Sequence, residues 1–221
     1  MKKKGLFITF EGVEGCGKTT QLNILEKYLK KLKIPVIKTK EPGGTKFGKK
    51  IRNILLQSNI NYFIPYTELF LFAADRLEHV EKVINPELRK DKIILCDRYI
   101  DSTIAYQIGG RKLNEKIVKK INDISSSKVL QDLTIIFDIE IKEGLKRATK
   151  IGHDRIEKES ILFHKRVAKK YIEISRRDKK RIKVIKVDGK SINKVHKEVL
   201  SVVENYIKSL KNRAILDKIN K

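Results

Sequence analysis

Cysteine and proline are scarce in this chain, and no apolar run is long. Its 221 residues include two cysteines and four prolines. Cys16 and Cys96 are too few for a disulfide framework. The apolar runs are strand-length, well short of the roughly 20 residues that cross a bilayer. The basic start, Met1-Lys2-Lys3-Lys4, resembles a secretory leader only superficially, because Leu6 to Phe10 is a short apolar stretch before Glu11 and an h-region needs about 7–15 residues. The expectation is a cytoplasmic protein with no membrane partner. Internal repeats and low-complexity linkers are also missing. With 40% hydrophobic and 35% charged residues, the length suits a single α/β domain over residues 1–221.

Acidic residues are in deficit too, 27 against 51 Lys and Arg, for a net charge of +24. Such a balance can mark a nucleic-acid binder. Here the cations are spread from Lys2 to Lys221, with no groove-reading motif and no interleaving of aromatic and basic residues. A lysine-rich solvated surface accounts for them, and no nucleic-acid partner is expected. The surface still attracts anionic nucleotides.

What the chain does contain is a phosphate loop. Phe7 to Phe10 reads as a buried strand, and Gly12-Val13-Glu14-Gly15-Cys16-Gly17-Lys18-Thr19 then satisfies G-x-x-x-x-G-K-[ST]. Glycines permit positive φ and close backbone approach. Successive N–H groups form an anion-binding concavity, backed by the positive end of the following helix. Lys18 adds a mobile cation and Thr19 a hydroxyl for Mg²⁺. Cys16 is a small filler inside the loop, and Cys96 is core at the end of a strand.

Further along, strand and helix patterns alternate. Helices are expected over 17–33, with Leu22, Leu25, Leu29 and Leu32 inward, and over 47–57, carrying Ile51, Ile54 and Leu55. Another starts at Pro65 and kinks or ends near Asn85-Pro86. A helix from Ser102 to Gln107 is stopped by Gly109-Gly110. An amphipathic helix carries Ile117, Val118, Ile121 and Ile124. A long one, Glu157 to Arg177, turns Leu162, Val167 and Tyr171 inward. The last buries Val195, Val199, Val202, Tyr206 and Leu210. Strands are expected at 6–10, 36–39, 92–96, 133–137 and 182–187. This alternation implies a doubly wound, five-stranded parallel sheet flanked by helices. Ligands then gather at the carboxyl ends of the strands, which singles out Gly12 to Thr19, Glu41 to Thr45, Asp97-Arg98 and the segment after Phe137. Arg98 is placed to enter the phosphate crevice, and Asp97 to hold a water of the Mg²⁺ shell. The basic segment Lys146-Arg147-x-x-Lys150-x-x-His153-x-Arg155 reads either as a solvated helix face or as a flap over a transferring phosphoryl group.

Five blocks in register resemble the thymidylate kinase family. They are Phe10-Glu11-Gly12-x-Glu14-Gly15-x-Gly17-Lys18-Thr19-Thr20-Gln21, Glu41-Pro42-Gly43-Gly44-Thr45, Leu71-Phe72-Ala73-Ala74-Asp75-Arg76, Asp97-Arg98-Tyr99-x-x-Ser102-x-x-Ala105-Tyr106-Gln107, and Gly144-Leu145-x-Arg147 followed by Asp154-Arg155-x-Glu157. The resemblance implies a P-loop nucleotide kinase with a lid at about 144–157. Its members move the γ-phosphate of ATP, the co-substrate, to dTMP with Mg²⁺, usually as a homodimer. It implies that Gly12 to Thr20 bind ATP, that Lys18 holds its β- and γ-phosphates, and that Thr19 and Asp97 serve the metal. It implies that Arg98 spans donor and acceptor phosphates, Arg52 holds the acceptor phosphate, Phe72 stacks on thymine and Arg76 donates to its carbonyl. Gln107 offers donor and acceptor to the pyrimidine edge, with Thr103 one turn before it. Tyr106 lies under the sugar, and Glu14 meets the 3′-hydroxyl or the metal shell.

Some family members carry an arginine in the loop where this chain has Gly15. The missing cation is expected from the lid, from Arg147 or Arg155. No residue stands out as a general base, and none is needed, since the acceptor is already an anion. Catalysis then rests on positioning and charge neutralisation. Two alternatives are another nucleoside monophosphate kinase of this fold and a nucleic-acid-dependent P-loop ATPase.

Overall fold

The computed structural model describes residues 5–57, 63–148 and 154–210. Five parallel strands form one sheet in the order β2-β3-β1-β4-β5. They are β1 (Leu6–Gly12), β2 (Val36–Lys40), β3 (Ile93–Asp97), β4 (Leu133–Asp138) and β5 (Ile182–Lys186). The central strand β1 pairs with β3 on one side and β4 on the other. All seven of its residues are buried, so it has no polar alternation. The edge strands are less covered, and Lys38, Lys40 and Lys186 are exposed.

The helices are α1 (Lys18–Lys31), α2 (Lys46–Leu56), α3 (Pro65–His79), α4 (Asn85–Arg89), α5 (Ile100–Thr103), α6 (Glu115–Ser125), α7 (Ile141–Ala148), α8 (Ile161–Arg177) and α9 (Ile192–Ser209). On one face of the sheet Leu22, Leu25 and Leu29 of α1 join Val195, Val199, Val203 and Ile207 of α9 in the main core. A smaller cluster around Phe7, Val80, Ile84 and Tyr99 fills the other face.

Several expectations need correction. Near Asn85-Pro86 the chain stays helical: α3 gives way to a π-helical turn, Val80–Ile84, which leads directly into α4, whose first turn accommodates Pro86. The helix expected at 102–107 starts at Ile100 and widens into a second π-helical stretch, Ile104–Gly110. That stretch runs through Gly109-Gly110, and the second glycine lets the Phe163 ring of α8 approach, since a Cβ there would lie 2.5 Å from it. Helix α8 begins at Ile161, not Glu157. Asp154 first closes a turn by accepting from the Ile156 and Glu157 amides, and Ser160 then caps the helix. Leu162 consequently faces water, 67% exposed. In α9 the buried face is one residue out of phase, using Val203 and Ile207, and Leu210 is exposed. Ile54, Ile117 and Ile124 are likewise exposed.

Candidate active site

The carboxyl ends of β1, β2 and β3 open onto one cleft of about 1410 Å³. At its donor end, Gly12, Gly15 and Gly17 all have positive φ (138°, 68° and 91°). Gly17 starts α1 without a side-chain cap, which leaves first-turn amides for an anion. Lys18 folds back over the loop, its Nζ donating to the Gly12 and Val13 carbonyls at 3.1 and 2.9 Å. Val13 and Cys16 themselves belong to the core. The Thr19 hydroxyl donates to Asp97 Oδ2 at 2.6 Å. This hydroxyl and carboxylate are hard oxygen donors beside the phosphate loop, a set that suits Mg²⁺, which keeps several waters and takes few protein ligands. Thr20 lines the cleft as well. So does the connection from β5 to α9, through Val187, Lys190, Ser191, Ile192 and Val195. It is tied to α1 by Gln21, which donates to the Ile192 carbonyl at 3.0 Å. No motif marks that segment in the sequence.

Arg98 joins the two ends of the cleft. It follows β3 directly with φ 73°, a left-handed conformation that is costly outside glycine and concentrates at functional sites. Its amide donates to the Phe10 carbonyl at 3.0 Å, which holds the turn against β1. One guanidinium nitrogen donates to the Gly12 carbonyl at 3.0 Å, Ser102 Oγ at 3.2 Å and Tyr171 Oη at 3.3 Å. The other donates to Glu14 Oε1 at 3.0 Å, and the group lies over the Tyr106 ring. Tyr106 also donates to Glu14 Oε1, at 2.5 Å. Burial pushes the Glu14 carboxyl up, but His164, Arg98 and Lys18 outweigh it and hold it at about 2. His164 Nδ1 stands 3.3 Å from Glu14 Oε2, outside hydrogen-bond geometry.

Behind Arg98 lies a residue the sequence left unassigned. Glu11 is fully buried and accepts from the Tyr99 amide at 2.7 Å, Ser102 Oγ at 2.5 Å and Tyr171 Oη at 2.9 Å. Burial and the Asp101 charge push its carboxyl up to about 7, against the Ser102 hydrogen bond and the Arg98 charge.

At the other end, α3 supplies Phe72 and Arg76, α5 and its π-helical extension supply Thr103, Tyr106 and Gln107, and α2 supplies Arg52; all line the cleft. Phe72 is half-buried, while Arg76 is buried. Arg76 is gripped by Glu41 Oε2 at 2.8 Å and Asn122 Oδ1 at 2.7 Å, and lies over the Tyr99 ring. The Glu-Pro-Gly-Gly loop therefore positions Arg76 through its leading glutamate. Arg52 donates to the Pro42 carbonyl at 3.0 Å.

Gln107 lines the cleft, and its Nε2 donates to Glu68 Oε1 at 2.7 Å. Its Oε1 is buried and has no hydrogen-bond partner.

The lid arginines separate. Arg147, on α7, lines the cleft, is half exposed, and pairs only loosely with Glu143 one turn earlier. Arg155 does not line the cleft. It is buried, donating Nε to the Leu55 carbonyl at 2.9 Å and Nη2 to Glu68 at 2.5 Å. Arg155 is thereby anchored to Leu55 and Glu68. Lys150 and His153 lie outside the described residues.

A family model described as Thymidylate kinase matches residues 10–199. A thymidylate kinase of Nostoc sp. is 45% identical over 208 residues, covering 92% of this chain and 98% of the relative. One from Thermoanaerobacter sp. is 44% identical over 205 residues, covering 92% and 100%. The crystal structure of thymidylate kinase from Ehrlichia chaffeensis superposes with a TM-score of 0.75 at 35% identity, covering 90% of this chain and 98% of that one.

Proposed function

The chain belongs to the thymidylate kinase family, and from that premise we propose that it transfers the γ-phosphoryl group of ATP to dTMP, giving dTDP and ADP. The observation that carries this reading is the position of Arg98, which touches the phosphate loop at Gly12 and the acceptor end at Tyr106. A nucleic-acid-dependent ATPase has no use for the second half of that contact.

Each part of the cleft has a task. The amides of Gly15 to Thr20 bind the ATP phosphates, and Lys18 swings from its carbonyl contacts onto the β- and γ-phosphates. Thr19 and Asp97 would hold Mg²⁺, which would neutralise charge on the phosphates. Arg52 fixes the acceptor phosphate, Phe72 stacks on the base, Arg76 donates to it, and Thr103 completes the wall. Tyr106 and Glu14 lie beneath the sugar. Arg98 spans both phosphates, held in line by its four acceptors. Arg147 closes over the γ-phosphoryl, supplying the cation that Gly15 does not. The acceptor oxygen needs no base, so rate comes from placement and charge, and closure excludes water that would otherwise take the phosphoryl group.

Residues 1–221 act as one domain, with residues 144–157 as its lid. Its compartment is the cytoplasm: both cysteines are free, and no helix among the described residues is long and apolar enough to cross a membrane. A homodimer accounts for an uncovered apolar stripe. Phe70, Ala74 and Leu77 lie at helical spacing on the outer face of α3, and Ile117, Ile121 and Ile124 on that of α6 beside it. Turnover of ATP with dTMP, dUMP, dCMP, UMP and AMP under equal conditions tests the reading. It expects dTMP to lead, with dUMP trailing by about 10–200-fold for one methyl group. A better acceptor among the others defeats it.

A further inference from the structure

Glu68 stands one helical turn before Phe72 on α3, with no motif around it. Its carboxylate is nearly inaccessible, yet four donors converge on it. Oε1 accepts from Gln107 Nε2 at 2.7 Å and Arg111 Nε at 3.1 Å. Oε2 accepts from Arg111 Nη2 at 2.9 Å and Arg155 Nη2 at 2.5 Å. Arg111 also reaches Glu159. Burial pushes the Glu68 carboxyl up, but Arg111 and Arg155 outweigh it and keep it below the usual range. Glu68 is therefore ionised at neutral pH, and an ionised carboxylate only accepts.

That condition fixes the Gln107 amide. Only the NH₂ end can face Glu68, because turning the amide over sets two acceptors 2.7 Å apart. Oε1 is the atom left over, and it is buried in the cleft wall without a partner. Arg76, which also lines the cleft, brings donors only. The base end of the cleft thus carries a fixed pair, one acceptor and one donor group.

Resting on the reading of this cleft as a nucleoside monophosphate site, we propose that Glu68 is the positioning residue that locks Gln107 as an acceptor and so selects a pyrimidine whose ring nitrogen carries a proton. Thymine and uracil offer that N–H next to a carbonyl, the complement of Gln107 Oε1 and Arg76. Cytosine offers a ring lone pair next to an amino group, which opposes both. Sites that hydrogen-bond their substrate reject the mismatched analogue strongly, because buried groups are left unpaired. Glu68 also holds Arg155, so the same carboxylate ties the end of the lid to the base pocket.

The comparison that isolates this effect is dTMP against 5-methyl-dCMP, which share size and methyl group and differ in the hydrogen-bonding edge. The native enzyme is expected to favour dTMP by about 10²-fold or more in kcat/KM. In Glu68→Gln, the two Nη2 donors at the Oε2 position draw the new carbonyl there, and the new amide faces Gln107, which turns over. The acceptor ratio then narrows by at least about tenfold, carried by KM for the acceptors, with KM for ATP unchanged. A parallel loss with both acceptors, leaving the ratio intact, overturns the proposal. In a Gln107→Leu background, Glu68→Gln is expected to leave the ratio where Gln107→Leu put it; a further shift overturns the assignment, since Glu68 would then act by another route. Should Glu68→Gln fail to fold, Gln107→Leu alone decides: it must collapse the preference, and a preserved preference refutes the proposal. A native enzyme that uses both acceptors equally removes the Glu68 assignment only, whereas one that phosphorylates neither removes the kinase reading as well.

Discussion

Gly15 of the phosphate loop and Gly144 of α7 meet backbone to backbone. A Cβ on Gly15 would lie 1.9 Å from the Gly144 carbonyl oxygen, and a Cβ on Gly144 would lie 2.7 Å from the Glu14 carbonyl oxygen. Gly15 also holds φ 68°. The loop without its own arginine is thus the loop onto which α7 docks, and Arg147 stands one turn further along α7. Gly15→Ala is expected to push α7 away and misplace Arg147. Misplacement by about 1 Å can cost about 10²-fold in kcat, with far-UV circular dichroism unchanged. Stopped assays at saturating ATP and dTMP measure it.

Arg147 and Arg155 are expected to fail differently. Arg147→Ala removes a half-exposed cation from the cleft, so kcat falls about 10²–10³-fold and urea unfolding is unaltered. Arg155→Ala strips a buried partner from Glu68, which keeps Arg111 and Gln107, and costs about 1.5–3 kcal/mol of stability. Urea titration and steady-state kinetics on both variants check the split.

Stability should carry the mark of Glu11. Its carboxyl titrates near 7 in the folded protein against 4.5 in an ordinary setting. Between those values the folded state holds a proton that the unfolded state has lost, so this site's contribution falls as pH rises from about 4.5 through 7. Glu11→Gln is expected to flatten that limb by roughly 3 kcal/mol at most. Glu14 works in the opposite sense: held at about 2, it stabilises above the ordinary carboxylate value and loses that contribution as pH falls toward 2. Urea unfolding of both proteins across pH 2 to 8 reads the two slopes.

Asp97→Asn keeps the shape beside Thr19 and removes a charge. It is expected to raise the Mg²⁺ concentration for half-maximal rate about tenfold, while nucleotide binding measured without metal stays the same.

The stripe on α3 and α6 gives a test of assembly. The native chain should sediment at twice its own mass, and Phe70→Glu with Ile124→Glu should sediment as a single chain. A native chain that sediments singly would remove the homodimer.

Much of the fold was legible because β1 carries an unbroken apolar run and the phosphate loop dictates a strand before it and a helix after it. The parallel order followed from the alternation of strands and helices. Phase errors arose where helical period is known but the neighbour is not: α9 buries Val203 instead of Val202, and Leu162 faces water because Asp154 and Ser160 delay the start of α8. Neither π-helical stretch has a compositional signature. At the site, residues within motifs could be placed by their spacing. Glu68, Tyr171 and the 187–195 segment could not, because each acts through partners 39 to 171 positions away that only the folded chain assembles. Arg155 sat in a cationic run that says nothing of which member turns inward.

The most direct measurement follows the label from γ-³²P-ATP in the presence of dTMP and Mg²⁺. Label should enter dTDP in step with ADP formation, with little free phosphate. Lys18→Ala should abolish the transfer, while Arg76→Ala should weaken use of dTMP and spare ATP binding. ATP consumed to free phosphate at the same rate with or without dTMP would contradict a phosphoryl-transfer cleft.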